Sequence, residues 1–276
     1  MASNPDPITN ISLVGRLGAS LRFLVILAAL AWAMRSFIVA PFSIPTGSMV
    51  PTMLPGDYLF VTKWNYGFSR FSFPGNFPPF EGRILNHIPE RGDIVVFKRP
   101  DAIGADWVKR VVGLPGDTIE LRGGAVVLNG KPIPRQARAA VTIPASPNVP
   151  CRAAPGAVRD TIEVAGKRIC RYRAFNETLP NGRRYTVLDQ LDSGPGDWFG
   201  PKVVPTGHVF LMGDNRDDSA DSRFGLAAGG IGIVPVDRLV GRAAFAFWST
   251  DGTADLVKPW TWITALRTDR LGLGYE

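Results

Sequence analysis

Twelve consecutive apolar residues, Phe23 to Met34, stand between Arg22 and Arg35 and read FLVILAALAWAM. As a helix this interval rises about 20 Å, short of the roughly 30 Å hydrocarbon core of a bilayer. Leu17, Leu21, Phe37 and Ile38 lengthen the apolar stripe, and the two arginine stems can lie along acyl chains with their guanidinium groups at the interface. The pattern predicts a membrane anchor over 17–38, with Trp32 near its outer end, where an indole is favoured. Arg16 and Arg22 outweigh Asp6, so residues 1–16 are expected to stay cytoplasmic and the rest to lie across the membrane. A cleaved signal peptide is the alternative, with Ala31-Trp32-Ala33 as its small-residue motif. That motif sits inside the apolar run rather than after it, which favours a retained anchor.

After Pro41 the pattern breaks into short runs of strand length: 58–62, 93–98, 107–112, 118–121, 125–128, 184–188, 208–212 and 238–247. Most are rich in Val, Ile, Phe or Tyr and are punctuated by Gly, Pro or Asp. A mainly β chain behind one helix is expected. Pro-Gly-Asp recurs at Pro55, Pro115 and Pro195, each with the Pro and Gly placement of a type II turn. Asn129-Gly130 between two apolar runs signals a hairpin. From Gln136 to Asp160 periodicity fades into an Ala/Pro/Arg-rich stretch, read as a long loop or insertion.

Composition narrows the function classes. Of 276 residues 45% are hydrophobic, enough for a core, while 30 Gly and 24 Pro argue against a helical bundle. The net charge of +7 leans toward anionic partners, phospholipid or nucleic acid. Two cysteines and two histidines exclude a disulfide-dense scaffold and make a zinc centre unlike this chain. Outside the cytoplasm Cys151 and Cys170 can pair; two buried free thiols are the alternative.

Three segments could carry chemistry. Phe42-Ser43-Ile44-Pro45-Thr46-Gly47-Ser48-Met49 follows the anchor, with Pro45 and Pro51 holding the chain extended and Gly47 leaving room beside Ser48; a plain membrane-proximal linker would read similarly. In 107–117 strand alternation puts Lys109 on the face of Trp107 and Val111, and Arg110 on the other. A lysine at about 10.4 is almost wholly charged at neutral pH, but desolvation among apolar neighbours lowers it toward a usable base for a serine hydroxyl. A lysine reaching solvent from a strand edge is the plainer reading. In Gly213 to Gly225, Asp214, Arg216, Asp221 and Arg223 suggest a fixed ion-pair network, and the two arginines and irregular acidic spacing speak against a calcium loop.

Taken in order, these segments resemble the bacterial type I signal peptidases, membrane-bound Ser/Lys endopeptidases that remove signal peptides from exported proteins. The likeness begins at Arg35-Ser36-Phe37-Ile38 and runs through Pro45 to Pro51, Arg91 to Phe97, Lys109 to Asp117, Gly213 to Arg223 and Val234 to Gly241. It implies Ser48 as nucleophile and Lys109 as general base, with the Thr46 hydroxyl and Ser48 amide as oxyanion hole. Ser219 would orient the lysine amine, and Asp214, Asp221 and Arg223 would brace their loop. Phe42, Ile44, Pro45, Met49, Trp107 and Val108 would line shallow pockets for small residues at −1 and −3 of the signal peptide. The resemblance further implies a catalytic β-domain over 39–117 and 206–276, and an inserted second β-domain over 118–205. The expected partners are exported preproteins, the bilayer of the bacterial inner membrane and the secretion translocon, with the catalytic part outside the cytoplasm and without metal, cofactor or nucleic acid.

The chain departs from the family pattern at Trp107, at Asp218 and over Ala227 to Gly232. A Ser-His-Asp site would need His87 or His208, and neither lies in a segment resembling a catalytic one. Of two other classes, a self-cleaving repressor would need a DNA-binding helix-turn-helix where this chain has an apolar run. A catalytically silent envelope protein would not need Ser48 and Lys109 together.

Overall fold

The computed structural model describes residues 13–157, 160–255 and 257–275. Of the stretch 1–16, only 13–16 falls within them, as the start of a helix, Leu13–Ala33, that continues into a π-helical turn, Met34–Ile38. Within it Leu17–Ile38 has a mean hydropathy of 1.9 and buries none of its most apolar window. At 1.5 Å per residue these 22 residues extend about 33 Å, long enough to cross a bilayer. Trp32 and Phe37 join the helix end to the β-structure, with the Phe37 ring 5.4 Å from Phe68 and 5.3 Å from Phe73 between centroids.

The chain beyond the helix is β-rich. Seven antiparallel strands form the main sheet in the order Val39–Ser43, Asp57–Thr62, Leu239–Ser249, Ile94–Arg99, Ala102–Gly113, His208–Met212 and Val234–Pro235. Its central strand explains the unbroken run Ile94-Val95-Val96-Phe97: Ile94 and Val96 enter one core cluster with Leu59, Val61 and Val240, while Val95 and Phe97 enter another with Val111, Val209 and Leu239. A strand buried on both faces has no polar side to show.

Two four-stranded sheets come from 118–203. One joins Arg135–Pro144, Lys167–Thr178, Thr161–Val164 and Arg184–Leu188; the other joins Phe199–Val203, Thr118–Arg122, Ala125–Leu128 and Lys131–Pro132. Phe210 and Met212 of the main sheet pack with Ile119, Leu121, Val187 and Leu179 in one core cluster. Cys151 and Cys170 are disulfide-bonded inside a further apolar cluster with Val149, Tyr172 and Leu188.

Two sequence expectations change. The expected loop over 136–160 begins with a ten-residue strand, Arg135–Pro144, paired along Lys167–Thr178. Nearly all of its side chains are exposed or half-buried, so it carries no apolar alternation to read, and backbone pairing alone defines it. Its partner strand does alternate, with Cys170, Tyr172 and Ala174 buried, but intervening arginines hide the pattern. Gly56 and Gly116 have the positive φ of a type II turn, at 93° and 88°, whereas Gly196 does not. Asn129 and Gly130 both have positive φ, as a two-residue hairpin turn requires.

Candidate active site

The turn bearing Ser48 leaves the strand Val39–Ser43 and is held from both sides. Ile44 N–H donates to Asp57 O at 2.8 Å and Val50 N–H to Gly47 O at 3.1 Å. Met49 and Met53 are fully buried and act as apolar anchors beneath the turn. Met49 is therefore core, not part of the cleft lining as the resemblance implied, because strict burial leaves it no surface to offer a substrate. Gly47 leaves the approach to Ser48 open: a Cβ there would meet only Val50 Cγ2 at 3.6 Å and Asp218 Oδ2 at 3.9 Å.

Opposite lies Lys109, on the longest strand of the main sheet. Its Nζ is 2.6 Å from Ser48 Oγ and also donates to Val108 O at 3.1 Å. Lys109 is 2% exposed and Ser48 8%. Strand alternation sends Trp107 and Val111 into the same apolar cluster, and the Trp107 ring centroid is 5.5 Å from the amine. Burial lowers the Lys109 amine from 10.5 to about 8; Asp221 and Asp214 oppose the fall and Arg223 adds to it. About a tenth of the amine is then neutral at pH 7, a few hundred times the fraction for a free lysine.

The loop from Gly213 to Arg223 braces the serine turn directly and the strand of Lys109 through its neighbour Arg110. Asn215 N–H donates to Ser48 O at 3.0 Å, and Asn215 Nδ2 to Gly47 O at 3.2 Å. Asp221 accepts from Arg223 Nε at 2.8 Å and from the Gly213 amide at 3.1 Å. Burial alone would raise the Asp221 carboxyl, but these contacts with Arg223 and Gly213 outweigh it and hold the group below its usual range. Asp214 receives a forked pair from Arg110. The Ser219 hydroxyl is buried and has no hydrogen-bond partner among the described residues, so the oriented amine in this structure rests on Ser48 and Val108 alone.

A cleft of about 580 Å³ opens over Ser48 and Lys109. Phe42, Ile44, Pro45, Thr46, Trp107, Val108 and Ser219 line it, while Asp214, Asp221 and Arg223 are buried and outside its lining. Its surface is mainly apolar, with Thr46 exposed at the rim.

Three contributors escaped the sequence reading. Asn215 clamps the serine turn, and its signal was a lone amide among carboxylates. Arg110, read as pointing away from Lys109, is buried on Asp214 and Gly92 O; a strand arginine flanked by Val and Lys was the signal. Arg152 reaches the cleft from beside Cys151 and pairs with Asp218 at 3.2 Å, which no local pattern announces.

The sequence matches the family described as signal peptidase, peptidase S26, over residues 17–248. A signal peptidase I of Rickettsia akari (strain Hartford) is 37% identical over 264 residues, covering 88% of this chain and 87% of the relative. That of Rickettsia typhi (strain ATCC VR-144 / Wilmington) is 35% identical over 272 residues, covering 92% and 90%. A crystal structure of a signal peptidase I from Enterococcus faecalis aligns with 56% of this chain and 95% of its own at 23% identity, with a TM-score of only 0.28. A serine hydroxyl against a buried amine in an apolar cleft and relatives similar along nine-tenths of their length converge: the chain belongs to the signal peptidase family, peptidase S26.

Proposed function

We propose that the chain is a membrane-anchored serine endopeptidase that cleaves N-terminal signal peptides from exported preproteins through a Ser48/Lys109 dyad. The observation that carries this reading is the 2.6 Å contact between a buried amine and a serine hydroxyl at the floor of an apolar cleft. With the amine neutral, Ser48 Oγ–H donates to Lys109 Nζ, and the proton passes to nitrogen as Oγ attacks the scissile carbonyl. The Thr46 hydroxyl and the Ser48 amide stabilise the oxyanion, each donor of this kind contributing about 3 kcal/mol in the transition state. Lys109 then protonates the leaving amine and takes a proton from the water that hydrolyses the acyl-enzyme. The unpartnered Ser219 hydroxyl is free to accept from the amine once Ser48 is acylated.

The shallow, apolar lining from Phe42, Ile44, Pro45, Trp107 and Val108 favours small side chains at −1 and −3. The substrate's extended segment would pair with strands beside Ser48. The helix 17–38 is the anchor, which sets the catalytic part on the extracytoplasmic face of the bacterial inner membrane near the translocon. Exposed Trp248, Trp260 and Trp262 suit a β-surface resting against lipid. Residues 39–117 and 206–276 form the catalytic part and 118–205 the insertion, though Arg152, Pro155, Pro195 and Gly196 of the insertion also line the cleft.

The test is cleavage of a preprotein inserted in vesicles by the purified full chain. Wild type is expected to release the mature protein, and Ser48→Ala and Lys109→Ala to release none while circular dichroism shows both still folded at the assay temperature. Turnover retained by either variant rejects the dyad.

A further inference from the structure

Beside the cleft lies a second hollow of about 270 Å³, and Phe42 and Asp106 belong to the walls of both. Arg35, Lys63 and Lys98 line it, against Asp106 as its one acid. Asp106 is already engaged, at 2.9 Å from Lys98 Nζ. Among the described residues neither Arg35 nor Lys63 enters an ion pair.

Lys63 is the unusual member. It is 3% exposed, yet one of its three N–H donors is accounted for, by Ser72 O at 3.0 Å. The Phe42 ring centroid lies 5.6 Å from the amine. Burial pulls the amine down from 10.5 to about 7, with Asp106 opposing and Arg35, Lys98 and Arg83 adding to the fall. Three cations share the one acid Asp106, which is already engaged by Lys98, and a surplus of buried positive charge is costly unless an anion joins it. Arg35 follows Trp32 by less than one helical turn, at the end of the apolar span, where headgroups of the adjoining leaflet sit. The hollow is smaller than the roughly 300 Å³ at which small-molecule pockets begin, a size suited to a headgroup fragment.

We propose that this hollow binds the phosphate of a phospholipid headgroup, with Lys63 and Arg35 as its principal donors. Through the shared wall of Phe42 and Asp106, a seated headgroup then fixes one side of the cleft. The lipid source rests on the reading of 17–38 as an anchor; the phosphate site itself does not.

Native mass spectrometry of the full chain released from detergent micelles tests this, with dioleoyl phosphatidylglycerol, dioleoylglycerol or inorganic phosphate as probe. Wild type is expected to retain phosphatidylglycerol and not dioleoylglycerol, which has the same chains without the phosphate. Lys63→Met and Arg35→Gln are each expected to retain about 10-fold less, the loss of one charge-assisted hydrogen bond. Arg35 is exposed, so its variant keeps the test valid if Lys63→Met fails to fold. Equal retention by wild type and Arg35→Gln, or equal retention of dioleoylglycerol, overturns the proposal; inorganic phosphate retained in preference to phosphatidylglycerol upholds the phosphate site and overturns the lipid as its source. Preprotein cleavage by wild type in the same detergent is read separately, so a failed dyad and a failed headgroup site give different results.

Discussion

Arg110 and Asp214 form a buried forked ion pair, Nε to Oδ1 at 2.8 Å and Nη2 to Oδ2 at 2.7 Å. Each is the chain neighbour of a residue that sets the Ser48–Lys109 contact: Lys109 precedes Arg110, and Asn215, which holds the Ser48 carbonyl, follows Asp214. The pair thus ties the strand of the amine to the loop that clamps the serine.

Asp214→Ala leaves the Arg110 charge buried without its partner. Stability is expected to fall by about 3–5 kcal/mol, and chemical denaturation measures it. An Arg110→Met/Asp214→Leu double variant is expected to recover most of that stability, since an apolar pair of similar volume has no charge to desolvate. Its cleavage rate should stay low, because the fork that aligns strand and loop is gone.

In the proposed mechanism the neutral Lys109 amine is the active form, and burial lowers it to about 8. Below that pH kcat/KM is expected to fall about tenfold per pH unit, and to level off above it. The same shift bears on stability. The unfolded chain holds this proton up to 10.5 and the folded chain only up to about 8, so stability rises with pH between those values. Relative to Lys109→Met, wild type is expected to gain about 3 kcal/mol between pH 7 and pH 11. A pH-rate profile and paired denaturation curves check the two halves.

Gly213→Ala sets a Cβ 2.5 Å from Ser48 O and against Ser219 Oγ. Rotating the hydroxyl would still leave Ser219 Cβ at 2.6 Å, and the Ser48 carbonyl can move only with the serine turn. Displacing Ser48 Oγ, the proposed nucleophile, by up to about an ångström is expected to lower kcat about 100-fold. Single-turnover cleavage distinguishes this from weaker substrate binding.

The Cys151 to Cys170 bond closes a loop across 19 residues of sequence. Replacing both cysteines by alanine is expected to lower stability by about 3 kcal/mol through the freed unfolded chain. Because Arg152 stands next to Cys151 and lines the cleft, KM is expected to rise as well. Thiol labelling of the unreduced wild type should find no free cysteine.

Local patterns announced much of this molecule. The apolar run between Arg22 and Arg35 specified a helix, Val/Ile runs marked the central strands, and Asn129-Gly130 marked its hairpin, because each is governed by contacts within a few residues. Arg135–Pro144 escaped because its solvent-facing side chains leave no alternation, and its pairing with Lys167–Thr178 lies far along the chain. Ser48 and Lys109 were legible as segments resembling a family, but Met49, in the same motif, went to the core rather than to the cleft.

Sequence by itself determined which residues could react: a serine after a glycine between two prolines, and a lysine on the apolar side of a strand. Tertiary structure alone decided that they meet. Sixty-one positions separate Ser48 from Lys109, and only strand pairing in the main sheet, the Asn215 clamp and the Arg110 fork bring them within reach. The same long-range packing removes water from the amine, and that desolvation, which no local spacing encodes, is what lowers its pKa toward the range the proposed base needs.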